Sequence, residues 1–195
     1  MSEEKENIQF QLTDELIEQV ETLIENKNDK ELKALLNEFH HADIAEILDE
    51  INLEEAVYVI KLLDSETTAD ILMELDEDTR EKILKNLSAK EIAEEIEELD
   101  TDDAADIIAE LSEERQAEVI SHIEDTEHRD EITELLAYDE DTAGGLMGKE
   151  LVKVYETWTV AGCLRRIRGQ AKDVTRVHSI YVVDRKDKLK GRLSL

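Results

Sequence analysis

The chain has 195 residues, of which 52 are Asp or Glu and 23 are Lys or Arg, giving a formal net charge of −29. Such an acidic chain repels polyanions, which excludes a nucleic-acid binder held by phosphate neutralisation. No apolar run reaches the ~18 residues that a membrane span needs, and no secretory signal pattern is present, so we expect a cytosolic polypeptide. A single cysteine, Cys163, excludes an internal disulfide.

The charge divides the chain into two regions. Residues 148–195 hold 12 Lys and Arg against 5 Asp and Glu, whereas residues 1–147 hold 11 against 47. A core is affordable because 41% of the residues are hydrophobic, and it must be aliphatic because only 4% are aromatic. We predict an acidic domain over residues 1–137, a linker over residues 138–147 and a separate basic segment over residues 148–195.

Two helices are predicted at the start of the acidic domain. The first covers residues 13–25 with Thr13 as its N-cap, and the second covers residues 30–39 with Asp29 as its N-cap. A third helix outside the main pattern is predicted near residues 129–137.

Between these helices lies an internal repeat of seven consecutive twelve-residue blocks that begins at His41. The blocks are HADIAEILDEIN, LEEAVYVIKLLD, SETTADILMELD, EDTREKILKNLS, AKEIAEEIEELD, TDDAADIIAELS and EERQAEVISHIE. Position eight is always apolar and position eleven is always Ile or Leu; with position four they form one stripe of a helix. Twelve residues rotate a helix about 120° past whole turns, so an unbroken helix would scatter that stripe.

Each block is therefore predicted to be a helix of roughly ten residues followed by a break. The residues at the breaks are good N-caps for the next helix: Asn52, Asp64, Asp76, Ser88, Asp100 and Ser112. Helices this short are unstable alone and must stack. The predicted fold is mainly α, a right- or left-wound superhelix of short helices.

The basic segment has a different pattern. Residues 151–155 are predicted to form a strand, residues 159–171 an amphipathic helix capped by Thr157 or Thr159, and residues 179–184 a buried strand that turns into a returning strand. This β-α-β-β order, with VVD before LKGRLSL, resembles a cystathionine-β-synthase (CBS) motif. The resemblance covers about 45 residues and lacks the closing helix and the second motif of the usual pair.

The junction AYDEDTAGGLMGKELVKV, between an acidic helical repeat and a CBS motif, closely resembles the cytosolic region of MgtE-type magnesium channels. The matching residues are Tyr138, Glu140, Asp141, Ala143, Gly144, Gly145, Leu146 and Met147. The resemblance implies a homodimeric Mg²⁺-selective channel that closes when cytosolic Mg²⁺ binds between its cytosolic domains. It also implies a second CBS motif, a connecting helix and a five-helix membrane domain, with this chain at the cytoplasmic face of the membrane.

Acidic residues of the repeat are the candidate metal ligands. Asp102 and Asp106 are spaced i, i+4 at the start of a predicted helix, and Asp103 lies beside them. Spacing alone favours a solvated acidic face, since such acids rarely bind metal. The resemblance raises the expectation, because it implies Mg²⁺ ligands matching Asp102, Asp106 and, in the third block, Asp70. The remaining ligands are expected in the CBS motif and connecting helix outside this chain.

Other residues leave alternatives open. His40 and His41 are interpreted as a turn and capping pair, with a soft-metal site as the alternative. Arg165, Arg166, Arg168 and Lys172 form either a solvated helix face or a nucleotide phosphate site, and with one CBS motif incomplete we expect no bound nucleotide. Nothing in the sequence predicts an enzyme, a catalytic residue or a cofactor-binding residue. The alternative function is an interaction scaffold with a nucleotide-sensing CBS module.

Overall fold

The computed structural model describes residues 12–139, 142–170 and 179–194. Its helices are α1 (Asp14–Glu25), α2 (Asp29–Leu36), α3 (His41–Glu50), α4 (Leu53–Leu62), α5 (Ser65–Glu74), α6 (Glu77–Asn86), α7 (Ala89–Ile96), α8 (Thr101–Ala109), α9 (Glu113–His122), α10 (Thr126–Leu135) and α11 (Val160–Gln170). Its strands are β1 (Val152–Tyr155), β2 (Ser179–Val183) and β3 (Leu189–Ser194). The prediction of a mainly α chain followed by a partial α/β motif is confirmed. Among these residues, no helix is long and apolar enough to cross a bilayer.

The chain forms two compact units. Within the described residues, the first unit falls in Met1–Leu99 and Glu110–Ile123, and the second falls in Asp100–Ala109 and Glu124–Leu195. Helix α8 thus belongs to the unit that carries the sheet, although its sequence lies inside the repeat. The segment boundaries at residues 137 and 147 stay predictions.

The twelve-residue repeat sets where the helices begin. Each of α3 to α9 starts at the first residue of its block, as the break predicted once per block requires. The side chains of Asn52, Asp64 and Ser88 accept backbone N–H bonds from the following first turn, at 3.1, 3.1 and 3.2 Å. In the described structure the side chains of Asp76 and Ser112 make no capping bond. The capping prediction therefore holds at some breaks and fails at others.

The flanking helices follow the prediction less closely. The hydroxyl of Thr13 caps α1 as predicted. Helix α2 begins at Asp29, one residue earlier than predicted, and the N-cap position belongs to Asn28. Helix α10 begins at residue 126 rather than near residue 129, because the carboxylate of Asp125 accepts two first-turn N–H groups and fixes an earlier start.

The core of the first unit is aliphatic and follows the repeat. Helix α3 packs on α5, α5 on α7 and α7 on α9, while α4 packs on α6, so these repeat helices pack against the next helix but one. The buried side chains at position eight of these blocks are Leu48, Ile60, Leu72, Leu84 and Ile96. Burying one such side chain stabilises the fold by about 1.5–3 kcal/mol. In the last block Val119 is fully buried and Ile120 only half-buried.

One block places a carboxylate where the others place a buried aliphatic side chain. Position seven is Ile or Val in six blocks, each at most 1% exposed, and Glu95 in the fifth. The Oε2 atom of Glu95 is buried without a hydrogen-bond partner among the described residues. The pKa of Glu95 is raised to about 7, mainly by burial and also by the negative charges of Glu94, Asp64 and Glu91, while a hydrogen bond with Ser65 lowers it.

We expect Glu95 to make the first unit less stable as the pH rises. The folded pKa of about 7 lies above the ordinary value of 4.5, so the folded state binds the proton more tightly. The free energy of unfolding therefore falls between these two pH values. Replacing Glu95 with glutamine should stabilise the protein at pH 8 by about 1 kcal/mol, a value reduced by solvent screening of this half-exposed group. Urea unfolding at pH 5 and pH 8 measures the difference.

The matched control is Glu98→Gln, which removes the same charge from an exposed position just beyond the same helix. A surface change of this kind should alter stability by less than about 0.5 kcal/mol at either pH. Equal effects of the two substitutions at pH 8 would show that only the net charge matters, and not the burial of Glu95.

The second unit contains a three-stranded sheet in the order β1-β2-β3. Strand β1 pairs parallel with β2, with Val152 opposite Ile180, and β2 pairs antiparallel with β3. Val154 joins these two residues in a small core against which Cys163 of α11 packs. In the same unit α8 packs on α10. The predicted β-α-β-β order is confirmed, and the hydroxyl of Thr159, not Thr157, accepts the capping bond at the start of α11.

Candidate functional site

Three of the predicted metal ligands, Asp102, Asp103 and Asp106, lie on α8; they are called the α8 carboxylates below. Asp102 and Asp103 occupy the first turn and are half-buried, and Asp106 is exposed one turn later. Burial raises the pKa of Asp103 to about 6, assisted by the negative charges of Asp102, Asp100, Asp106 and Glu150. Crowded carboxylates of this kind attract a hard cation, because oxygen ligands suit Mg²⁺.

The segment that precedes β1 lies against the start of α8. The carboxylate of Glu150 accepts the backbone N–H of Thr101 at 2.9 Å and its hydroxyl at 3.1 Å. The N–H of Lys149 donates to the same hydroxyl at 3.0 Å. A Cβ atom at Gly148 would lie 3.2 Å from Oδ1 of Asp102. The sequence analysis did not identify Glu150, because no spacing rule connects residues 49 positions apart.

Helix α10 adds a further acid near this segment. Burial raises the pKa of Glu131, and the charges of Glu127 and Glu150 raise it further. The ammonium group of Lys149 lies 2.8 Å from Glu134 and supplies positive charge beside these acids. Glu131 was also absent from the predicted ligands, because the sequence around it resembles that of any solvent-exposed helix face.

The fourth predicted ligand, Asp70, lies on α5 in the first unit. Its Oδ2 atom lies 2.8 Å from Nδ1 of His41, and both side chains are at least one-third exposed. The His40 side chain accepts an N–H bond at the start of α3, where Asp43 completes a capping box. The capping role predicted for this histidine pair is confirmed for His40, whereas His41 pairs with Asp70.

Within residues 12–139, 142–170 and 179–194, no group of three or more His, Cys, Asp and Glu side chains is arranged to hold a metal ion. The structure therefore brings Asp102, Asp103 and Asp106 together on one helix, and Asp70 belongs to the other unit. The placement of these four residues as ligands stays a prediction.

The predicted linker contains one close contact. A Cβ atom at Gly144 would lie 2.4 Å from the ring of Tyr138, so this position has room only for glycine while the ring stays in place. The motif residues Glu140 and Asp141 lie outside the described residues, as does Lys172 of the basic segment. The ring of Tyr138 therefore packs against a position that has no side chain.

A cavity of about 520 Å³ opens beside the start of α11. Its lining residues are Thr157, Trp158, Thr159, Gly162 and Arg165. Both Arg165 and Arg168 are exposed. The cavity combines an aromatic ring with a cation, a pairing that suits an anionic aromatic ligand.

Comparison with models of known protein families identifies the family of this chain. The model of the MgtE intracellular N domain matches residues 39–141, which is more than half of the chain. The chain belongs to the MgtE family. The match covers the whole twelve-residue repeat, so the repeat is the sequence pattern of an MgtE intracellular N domain.

Two curated relatives of this MgtE chain are magnesium transporters. The MgtE of Thermus thermophilus is 52% identical over 61 residues, and that of Enterococcus faecalis is 36% identical over 62 residues. These alignments cover 31% and 32% of this chain and 14% of each relative. The chain thus matches a small part of each transporter.

Two solved structures share the fold. The cytosolic domain of the Mg²⁺ channel MgtE in complex with ATP has a TM-score of 0.82 and 34% identity, covering 92% of this chain and 73% of that one. The soluble part of a magnesium transporter has a TM-score of 0.76 and 24% identity, covering 92% and 71%. At 24% identity, the second match shows the fold alone. The predicted identification as the cytosolic region of an MgtE protein is confirmed.

Proposed function

We propose that this chain is the Mg²⁺-sensing regulatory part of a Mg²⁺-selective membrane channel or transporter. Mg²⁺ held by the α8 carboxylates bridges acidic residues between domains and favours the closed pore. Asp102 and Asp106 are the principal ligands, Asp103 supports them, and Asp70 is a further proposed Mg²⁺ ligand. The chain works at the cytoplasmic face of the membrane.

The observation that carries this proposal is the crowding of acids on α8. Three carboxylates lie within two turns of one helix, and the pKa of Asp103 is raised to about 6 by burial and by its acidic neighbours. A bound divalent cation relieves the repulsion among them, and carboxylate oxygens are the ligands that Mg²⁺ prefers. The two related transporters are named for magnesium, which selects this cation among the hard ions.

The partners proposed for the chain lie outside it. They are a second CBS motif, a connecting helix, a transmembrane domain and a second copy that pairs through residues 148–195. Strand β3 and its neighbour leave apolar side chains uncovered, among them Leu189 at 64% and Leu193 at 49% exposure. Apolar surface of this kind favours association. These partners also supply the ligands that complete the Mg²⁺ coordination.

Adenine-nucleotide binding is a second candidate function. It is favoured by the cavity beside α11, where Trp158 and Arg165 offer a ring and a cation, and by the related cytosolic domain in complex with ATP. Trp158 is the single tryptophan of the chain. The fluorescence of Trp158 during an ATP titration separates this function from Mg²⁺ sensing. Quenching by ATP in the absence of Mg²⁺ would favour nucleotide binding.

We expect Mg²⁺ to raise the melting temperature of this chain more than K⁺ does at matched ionic strength. Both salts screen the negative charges, but only a cation bound by the folded α8 carboxylates adds binding energy. At a Mg²⁺ concentration ten times Kd, this excess amounts to about 1.4 kcal/mol. Thermal unfolding followed by circular dichroism across both salt series measures it.

The control for this experiment is a pair of variants. Asp102→Asn with Asp106→Asn should abolish the excess, because it removes two charged ligands at nearly constant size. Glu114→Gln, at the position of the next block that corresponds to Asp102, should retain it. If Mg²⁺ and K⁺ raise the melting temperature of the unmodified chain equally, charge screening explains the whole effect and the proposed site is excluded.

A further inference from the structure

The start of α8 is held by a residue that is distant in sequence. The first N–H groups of a helix lack partners within the helix, and a side chain just before it commonly supplies one. At α8 the N–H of Thr101 donates to Glu150, 49 residues further along the chain. Thr101 is fully buried, so this N–H and the hydroxyl cannot turn to water for an alternative partner.

The contact is reciprocal and involves charge. The hydroxyl of Thr101 donates to Oε2 of Glu150 and accepts the N–H of Lys149, so all its polar atoms are engaged. A carboxylate at a helix N-terminus is favoured by the helix dipole, and bonds to a charged acceptor are stronger than neutral ones. Losing Glu150 would leave a buried N–H and hydroxyl without their acceptor and loosen the first turn of α8.

That first turn carries Asp102 and Asp103. Gly148 lies so close that an added Cβ would approach Oδ1 of Asp102 and Oε2 of Glu150 to 3.2 Å each. The segment 148–150 therefore sets both the start of the helix and the space beside its first carboxylate. A cation loses affinity when its ligands are free to move, because binding must then order them.

We propose that Glu150 is a positioning residue for the α8 carboxylates, which holds Asp102 and Asp103 in place through Thr101 and sets their affinity for Mg²⁺ without binding the ion. The inference rests on the proposed function, since it concerns the same carboxylates. Both oxygens of Glu150 are engaged by Thr101, which argues for holding the helix over binding the ion.

The test compares three variants of the whole chain by calorimetric titration with MgCl₂. Glu150→Ala removes the contact and should weaken Mg²⁺ binding about five- to tenfold, the effect of losing a helix cap. Thr101→Val removes only the hydroxyl and should weaken binding several-fold. Glu150→Gln keeps a neutral acceptor for the N–H of Thr101 and should weaken binding clearly less than Glu150→Ala, by about two- to threefold.

Glu91→Ala is the matched control. Glu91 accepts the N–H of Ser88 at 2.6 Å and closes the capping box of α7 in the first unit. Its loss should lower the melting temperature and leave the Mg²⁺ affinity unchanged. A general loss of stability can thus be told apart from a loss of positioning, with circular dichroism confirming that each variant is folded at the titration temperature.

Two outcomes overturn the inference. If Glu150→Gln weakens binding as much as Glu150→Ala, the charge of Glu150 matters and not its hold on Thr101. If Glu150→Ala and Thr101→Val both bind normally while Asp102→Asn with Asp106→Asn does not, the proposed function stands and the inference fails. Normal binding by the aspartate double variant would remove the proposed function itself, and this inference with it.

Discussion

Replacing Arg80 with methionine is expected to lower the free energy of unfolding by about 3 kcal/mol. This is the usual cost of removing one partner of a buried ion pair. The guanidinium of Arg80 makes a bidentate ion pair with Glu110, and the two side chains are only 15% and 18% exposed. It also donates to the carbonyls of Leu72 and Leu75 at the end of α5, at 3.1 and 3.3 Å. The substitution leaves a partly buried carboxylate and two helix-end carbonyls without this donor.

The matched control for Arg80 is Lys85→Met on the same helix. Lys85 pairs with Glu81 at i, i+4, and the two side chains are 64% and 48% exposed. Exposed pairs of this kind contribute about 0.3–0.5 kcal/mol, so this variant should unfold close to the unmodified chain. Denaturant unfolding of both variants measures the difference, and a similar loss in each would mean that Arg80 acts as an ordinary surface charge.

The helices of the repeat could be predicted because their information is local. Position eight is apolar in every block, and the break at position twelve follows from the 3.6-residue period. The contacts that join one block to another could not be predicted in the same way. Arg80 and Glu110 are 30 residues apart and have no shared period, so their ion pair emerges only when the helices pack.

The same distinction between local and long-range information applies to the candidate site. Asp102 and Asp106 could be identified as neighbours on one helix face from their spacing, and the family resemblance singled them out from other acids. Glu150 could not, because a cap supplied from 49 residues away has no sequence signature. The pairing of Asp70 with His41 was missed for the same reason, since it joins α5 to α3 across 29 positions.

Glu95 shows how a repeat can mislead. The carboxylate occupies a position that is Ile or Val in the other six blocks, and a helical pattern interrupted once is still recognised as a helix. What the pattern does not reveal is that the side chain stays partly buried, which shifts its pKa to about 7. The consequence is a dependence of stability on pH near neutrality that a solvated acid would not produce.

In a full-length channel that contains this region, the Asp102→Asn, Asp106→Asn double variant is expected to need at least about tenfold more Mg²⁺ to close. Tenfold corresponds to about 1.4 kcal/mol, a modest loss for removing two charged ligands. Mg²⁺ can bias the gate only through its higher affinity for the closed state. Asparagine keeps the size of both side chains and the start of α8, so the change isolates their charge.

The closing curve is measured by patch clamp across a series of cytosolic Mg²⁺ concentrations, with Glu114→Gln as the control that removes one acid from α9. Under the proposed function, the α8 carboxylates repel one another when no Mg²⁺ is bound, and this repulsion is expected to favour the open pore. This repulsion is screened by salt, so the difference between the double variant and the unmodified channel should shrink as ionic strength rises. An unshifted closing curve for the aspartate pair would exclude α8 as the sensing element. Membership in the MgtE family would still stand, because it does not depend on these two side chains.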